Sequence, residues 1–91
     1  DAGHEELKSM RTDPARRGAG IGATMLRHAL DDARSRGVRR VSLETGSQPF
    51  FAPARSLYAK HGFVECPPFG SYRPDPNSTF MTRSLEDQPA R

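Results

Sequence analysis

The feature that most constrains the fold is a glycine-rich turn between a predicted strand and a predicted helix. Residues 16–22 read Arg-Arg-Gly-Ala-Gly-Ile-Gly. The first turn of a helix offers unpaired N–H groups and the positive end of the helix dipole, and glycine lets the backbone approach a ligand closely. The two arginines add charge and forked donors. The turn therefore predicts a phosphate-binding site; the structural alternative is a tight turn that needs glycine only for its dihedral angles.

The helix that follows this turn has the strongest periodic pattern in the chain. Apolar and small residues recur at helical spacing, at Ile21, Met25, Leu26, Ala29, Leu30 and Ala33. Charged residues occupy the other side. Gly37 follows the last basic turn, where a left-handed cap commonly ends a helix.

The remaining patterns predict one α/β domain with a mixed sheet and the order β-α-β-α-β-β. Strands are predicted at 5–12, 38–45, 63–65 and 79–85, and a second helix runs from about Ala52 to Gly62. The first three elements form a parallel βαβ unit with a right-handed crossover, and the last two strands pair antiparallel. Residues 66–77 are rich in proline and predict a long loop. Residues 1–85 form the domain, and 86–91 form a polar tail.

The composition limits both the core and the partners. Only 34% of the 91 residues are hydrophobic, so the core is thin and independent stability is not assured. A net charge of +3 favours an anionic partner. No apolar run approaches the ~20 residues of a membrane span, and no signal peptide is evident, so we expect a cytoplasmic protein without membrane contact. One cysteine and three scattered histidines predict no disulfide and no metal site.

Two functions would use a phosphate-binding turn in a basic chain. Residues 18–23 satisfy the G-x-G-x-x-G/A fingerprint of dinucleotide-binding folds, and Glu44 stands about where a ribose-binding acid would. That fingerprint normally follows a buried apolar strand, whereas charged residues precede this turn. The second function is that of a small basic domain that binds nucleic-acid phosphates through Arg11, Arg16, Arg17, Arg39 and Arg40. No aromatic residues interleave with these arginines as a stacking platform requires.

Two segments resemble the signatures of one enzyme family. Arg17-Gly18-Ala19-Gly20-Ile21-Gly22 resembles the [QR]-x-x-G-x-[GA] acyl-coenzyme-A signature of the GNAT superfamily of N-acetyltransferases, and residues 57–63 resemble its L-Y-x-x-x-G-F segment. Residues 43–46 and 66–81 look like a subgroup of small stand-alone bacterial GNAT enzymes. The resemblance spans roughly residues 6–85. It implies transfer of an acetyl group from acetyl-coenzyme A to an amine by direct attack on the thioester.

The resemblance also implies roles for particular residues. Backbone groups of the turn and of the preceding strand hold acetyl-coenzyme A, through Met10, Arg11, Thr12, Arg17, Gly18, Ala19, Gly20, Ile21 and Gly22. Tyr58 matches the residue that protonates the departing thiolate, and it would act better with a lowered pKa. The alternative role for Tyr58 is packing on the buried face of its helix. Glu6 and Glu44 are candidates for the base that deprotonates the amine; the alternatives are a base in the missing half of the domain and bulk water.

The sequence departs from the family pattern in two ways. It begins just before the strand that leads to the glycine turn, so we expect a partial GNAT fold lacking the N-terminal strands and helices. The open edge at 5–12 predicts association with that missing half or with a second protomer as a dimer. Phe51 stands where many relatives have an Asn that helps to hold the coenzyme. Phe50 and Phe51 line an acceptor pocket or anchor the second helix, and Cys66 is expected to be structural.

Overall fold

The order of elements agrees with the sequence pattern. A computed structural model describes residues 3–7 and 21–86. Its strands are β1 (His4–Glu6), β2 (Arg40–Gly46), β3 (Val64–Glu65) and β4 (Ser78–Ser84). Its helices are α1 (Ile21–Ser35) and α2 (Ala52–Lys60), the latter preceded by a 3₁₀ turn at Pro49–Phe51. The order β-α-β-α-β-β is confirmed. The greater part of the first predicted strand, 8–12, lies outside the described residues.

The strands of the described residues form one mixed sheet in the order β1-β2-β4-β3. Strands β3 and β4 are antiparallel, with Val64 opposite Thr82, as the sequence predicts. Strands β2 and β4 also run antiparallel, because residues later in the β2 direction contact residues earlier in the β4 direction. Ser42 Oγ meets Thr82 Oγ1 at 2.8 Å, and the Ser47 N–H donates to the Asn77 carbonyl at 3.0 Å. The parallel pair of this mixed sheet is therefore β1 with β2, as expected for a βαβ unit.

One compact unit contains the described residues up to Val41 together with residues 84–86. Helix α1 buries a narrow stripe in this unit, and the buried residues are Leu26, Leu30, Ala33, Val38, Val41 and Leu85. The sequence pattern also placed Met25 on the buried side, and this is wrong: Met25 is 42% exposed. Successive helical residues are separated by about 100°, so Met25 falls beside the stripe that Leu26 defines.

The second unit, Ser42–Arg83, holds its own buried side chains. These are Ser42, Leu43, Tyr58, Phe63, Phe80 and Met81. Helix α2 carries a proline in its first turn, where the missing N–H costs nothing, and a glycine with φ +90° follows its end at Gly62. The proline-rich segment 66–77 is a loop, as predicted. Its shape also depends on ring contacts, because Phe69 and Tyr72 both pack on Phe80 of β4.

Candidate active site

The coenzyme site assigned from the sequence falls mostly outside the described residues. Met10, Arg11, Thr12 and the turn residues Arg17, Gly18, Ala19 and Gly20 all lie there. Ile21 and Gly22 are described, and they form the first positions of α1. The helix therefore begins where the glycine signature predicts it. Its first turn carries no acidic residue, so no carboxylate of that turn opposes an anion bound at the helix N-terminus.

Tyr58 lies on α2 with its side chain in the core of the second unit. The residue is only 6% exposed, and its ring contacts Phe63 edge-to-face with the centroids 5.7 Å apart. Burial raises the pKa of the Tyr58 phenol above its usual 10. A lowered pKa would make the phenol a stronger acid, and the shift caused by burial goes in the opposite direction. It does keep the proton on the hydroxyl at neutral pH, which a proton donor requires.

Glu44 is the candidate base whose surroundings are best defined. Its side chain projects from β2, and the Ser78 hydroxyl of β4 donates to Glu44 Oε2 at 2.6 Å. Glu6, the other candidate, lies half-buried in β1 and has interactions of its own. Sequence reasoning did not find Ser78, because no local pattern links residues 34 positions apart.

Hydrogen bonds connect the segment after Glu44 to the first residues of β4 and to the residue just before it. The Ser47 and Thr79 hydroxyls lie 2.9 Å apart, and the Gln48 amide donates to Asn77 Oδ1 at 3.3 Å. Arg55 of α2 donates to the carbonyl oxygens of Gly46 at 2.6 Å and Gln48 at 3.1 Å. These bonds fix the path of the chain between β2 and α2, where Phe50 and Phe51 stand.

Phe51 occupies space that Gly46 leaves open. A Cβ atom added at Gly46 would overlap the Phe51 ring. Phe50 contacts Phe51 edge-to-face with centroids 5.0 Å apart and remains largely exposed. The sequence left open whether these rings line a pocket or anchor a helix. The Phe51 ring lies against the end of β2 at the entry to α2, and with 37% of the residue exposed it also presents surface to solvent, as does Phe50.

His61 and Cys66, two other residues with reactive side chains, make hydrogen-bonded contacts within the fold. His61 follows α2, and its Nδ1 lies 3.0 Å from the Leu57 carbonyl oxygen. The backbone N–H of the half-buried Cys66 donates to the Phe80 carbonyl at 2.8 Å. Among residues 3–7 and 21–86, no group of three or more His, Cys, Asp or Glu side chains is arranged for a metal ion. In the same ranges, no helix has the length and hydropathy to cross a membrane.

Two of the basic residues considered for nucleic-acid binding lie on the surface of the first unit. Arg39 is 3.7 Å from the Glu86 carboxylate. Arg39 and Arg40 line a cleft of about 350 Å³ together with Gly3, His4 and Glu86. Arg11, Arg16 and Arg17 lie outside the described residues. The cleft is thus of mixed charge.

The chain belongs to the acetyltransferase (GNAT) family, whose family model matches residues 1–63. It is 48% identical over 85 residues to the uncharacterized N-acetyltransferase YsnE of Bacillus subtilis, which covers 93% of this chain and 56% of YsnE. Identity to the uncharacterized N-acetyltransferase YedL of Escherichia coli is also 48% over 85 residues, with 54% of YedL covered. The chain thus spans about half the length of the curated relatives it matches.

Solved structures agree with the family and with the mixed α/β fold. The fold matches a Klebsiella pneumoniae protein assigned as an acyl-CoA N-acyltransferase with a TM-score of 0.83 and 35% identity, over 91% of this chain and 56% of that one. The ribosomal-protein-S18-alanine N-acetyltransferase of Escherichia coli matches with a TM-score of 0.71 and 27% identity, over 89% of this chain and 54% of that one. The family resemblance and the fold class inferred from the sequence are both confirmed.

Proposed function

We propose that this chain is the coenzyme-binding part of an N-acetyltransferase that transfers an acetyl group from acetyl-coenzyme A to an amine. The observation that carries the proposal is the family match over residues 1–63, a range that contains both the glycine turn and Tyr58. The start of α1 at Ile21 and the lack of an acidic residue in its first turn support the turn as the pyrophosphate site.

In the proposed reaction, the lone pair of a neutral amine attacks the thioester carbonyl carbon. A C–N bond forms, and the carbonyl oxygen carries negative charge until the C–S bond breaks. A backbone N–H of residues 10–12 would stabilise that oxygen; a donor of this kind contributes about 3 kcal/mol in comparable sites. The products are the acetylated amine and the coenzyme A thiol.

Two protons move in this reaction. The amine loses one, for which Glu44 and Glu6 are the candidate acceptors, and the leaving thiolate gains one, for which we propose Tyr58 as donor. The pKa of Tyr58 is raised by burial, so the phenol is protonated at neutral pH and ready to donate. No metal enters this scheme.

The proposal extends to location and assembly. We infer a cytoplasmic protein, and a single cysteine, which allows no internal disulfide, is compatible with a reducing compartment. Strand β1 stands at the end of the strand order and has β2 as its neighbour. Such an edge pairs readily with further chain, so we propose that the remainder of the acetyltransferase domain or a second protomer covers it.

Calorimetric titration with acetyl-coenzyme A, with NADH as the comparison, tests the proposal. We expect acetyl-coenzyme A to bind and NADH not to bind. Gly20→Glu should weaken coenzyme binding by ~tenfold or more, because a carboxylate would meet the pyrophosphate. Ser71→Glu adds the same charge in the exposed part of the proline-rich loop and should leave affinity unchanged. Tighter NADH binding, or equal effects of the two substitutions, would contradict the assignment of the turn.

A further inference from the structure

One face of the second unit combines a carboxylate with aromatic rings. Ser42 lies opposite Thr82 and Ser47 opposite Asn77, so the register of β2 and β4 places Glu44 opposite Phe80 and Gly46 opposite Ser78. Alternate residues of a strand share a face. The positions of Glu44, Gly46, Ser78 and Phe80 therefore form a contiguous patch.

A hydroxyl group holds the carboxylate in this patch. Ser78 Oγ donates to Glu44 Oε2 at 2.6 Å and restrains the side chain. Arg55 of α2 donates to the carbonyl oxygens of Gly46 and Gln48. The ion pairs found within residues 3–7 and 21–86 do not include Glu44. As far as these residues are concerned, its negative charge is available to a ligand.

Aromatic rings flank the carboxylate on two sides. On one side, the Phe51 ring fills the side-chain space that Gly46 leaves empty, on the Glu44 face of β2. On the other side is Phe80, which packs with Phe69 at a centroid distance of 5.8 Å and with Tyr72 at 5.3 Å. Phe69 and Tyr72 are themselves 5.3 Å apart. Phe80 is itself buried, and it holds the half-buried Phe69 and the exposed Tyr72, whose rings form the accessible wall on this side.

We propose that this patch binds the acceptor, and that the acceptor is a monoamine with an apolar body, held by its protonated amino group. A carboxylate attracts an ammonium group directly, and ring faces attract it through their quadrupole. The same rings offer apolar surface to the rest of the molecule. The identification as an acceptor site rests on the proposed acetyl transfer. The bound ammonium transfers one proton to water before attack, and the resulting neutral amine gives a second proton to the base as the C–N bond forms. An amino acid is disfavoured because its own carboxylate would approach Glu44.

The Phe51 wall depends on the glycine at position 46. The Phe51 ring lies against the end of β2, in the space that a side chain at residue 46 would fill. The two residues together form one wall of the proposed amine site.

Three ligands that share a phenyl ring test the proposal on the full 91-residue chain without coenzyme: phenethylamine, 2-phenylethanol and phenylalanine. At neutral pH they carry an ammonium, no charge, and an ammonium with a carboxylate. Calorimetry or NMR titration should show phenethylamine binding about tenfold more tightly than either of the others. Equal affinities for the three, or no phenethylamine binding, would overturn the proposal.

Substitutions locate the binding to the patch. Glu44→Gln keeps the shape of the side chain and should abolish the preference for phenethylamine, and Ser78→Ala should reduce it by freeing the carboxylate. Glu65→Gln is the matched control, because Glu65 lies opposite Met81 and so projects from the other face of the sheet. An equal loss in the Glu44 and Glu65 variants would show that only the net charge matters, which would also overturn the proposal.

Titration of the same samples with acetyl-coenzyme A separates the two proposals. Coenzyme binding without preference for phenethylamine would refute the amine site and leave the acetyltransferase proposal standing. Selective binding of phenethylamine without coenzyme binding would refute the turn as a coenzyme site and leave the amine site standing.

Discussion

The Tyr58 ring packs in the core of the second unit, and this packing does not depend on whether the hydroxyl takes part in catalysis. Its ring is buried and contacts Phe63, so the aromatic body contributes to the stability of the second unit. The hydroxyl is the part that the proposed proton transfer uses. Because the two parts can be separated by removing one oxygen atom, packing and catalysis can be measured independently at this residue.

Tyr58→Phe should therefore lower kcat while leaving the fold and coenzyme affinity nearly unchanged. Loss of a general acid typically costs about 10²- to 10⁴-fold in rate. The donor is active when protonated, and burial raises the pKa of Tyr58 above 10, so activity should fall on the alkaline side only above that pH. Steady-state kinetics across pH, with the melting temperature as the control, provides the measurement. Unchanged kcat would return Tyr58 to a packing role.

The two helices end in the same way, and each ending depends on a glycine. After α1, the Val38 N–H donates to the Ala33 carbonyl at 3.0 Å and the Gly37 N–H to that of Arg34 at 3.1 Å. The N–H groups of Phe63 and Gly62 make the equivalent bonds after α2. This is the Schellman pattern, which needs a left-handed residue. The φ angles of Gly37 and Gly62 are +83° and +90°.

Alanine at these two glycines should destabilise the protein to different extents. Nothing lies within 4 Å of a Cβ added at Gly37, so Gly37→Ala should cost only the conformational penalty of about 1–2 kcal/mol. A Cβ at Gly62 would come within 3.2 Å of the Arg83 side chain, so Gly62→Ala should cost more. Chemical denaturation measures both free energies of unfolding. A reversed order would contradict this account of the two caps.

An ion-pair network joins β1 to the end of α1. Arg36 donates to both oxygens of Glu5 at 2.9 and 2.8 Å and to Asp32 at 2.9 Å. The hydrogen bonds from Arg36 lower the pKa of Glu5 below 4.5, although slight burial opposes this. The side chains of Arg36 and Glu5 are 47% and 41% exposed, so solvent and salt screen the pair and its contribution to stability is small.

The Glu5 pair should make stability depend on pH in one direction. A carboxyl with a lowered folded-state pKa stabilises the fold above its unfolded pKa, near 4.5, and this contribution is lost as pH falls through the folded pKa. Glu5→Gln should therefore lower the free energy of unfolding at pH 7 but not at pH 2, and the difference at pH 7 should shrink in high salt. Denaturation curves of both proteins at these pH values provide the test, with Glu65→Gln as the control carboxylate.

For the molecule as a whole, the order of elements could be predicted from the sequence because each element has a local signal. The glycines after α1 and α2 and the proline-rich loop are examples. The amine site could not be predicted in this way. It depends on the register of β2 against β4, which brings Ser78 to Glu44 from 34 positions away. The space left by Gly46 has meaning only once the position of the Phe51 ring is known.

The thin core and the edge position of β1 predict that the chain does not remain a stable monomer. Only 34% of its residues are hydrophobic, and β1 ends the strand order. We expect size-exclusion chromatography with light scattering to show a mass above 10.1 kDa that rises with concentration. A monodisperse monomer with a cooperative unfolding transition would contradict this prediction.

The contact between Gly46 and Phe51 also constrains how this chain can evolve. A larger residue at 46 collides with the ring at 51. A smaller residue at 51 leaves a gap next to Gly46, which has no side chain to fill it. Each single change is unfavourable while the other residue stays as it is. The two positions should therefore vary together among close homologues, and loss of the aromatic ring should precede or accompany any gain of a side chain at 46.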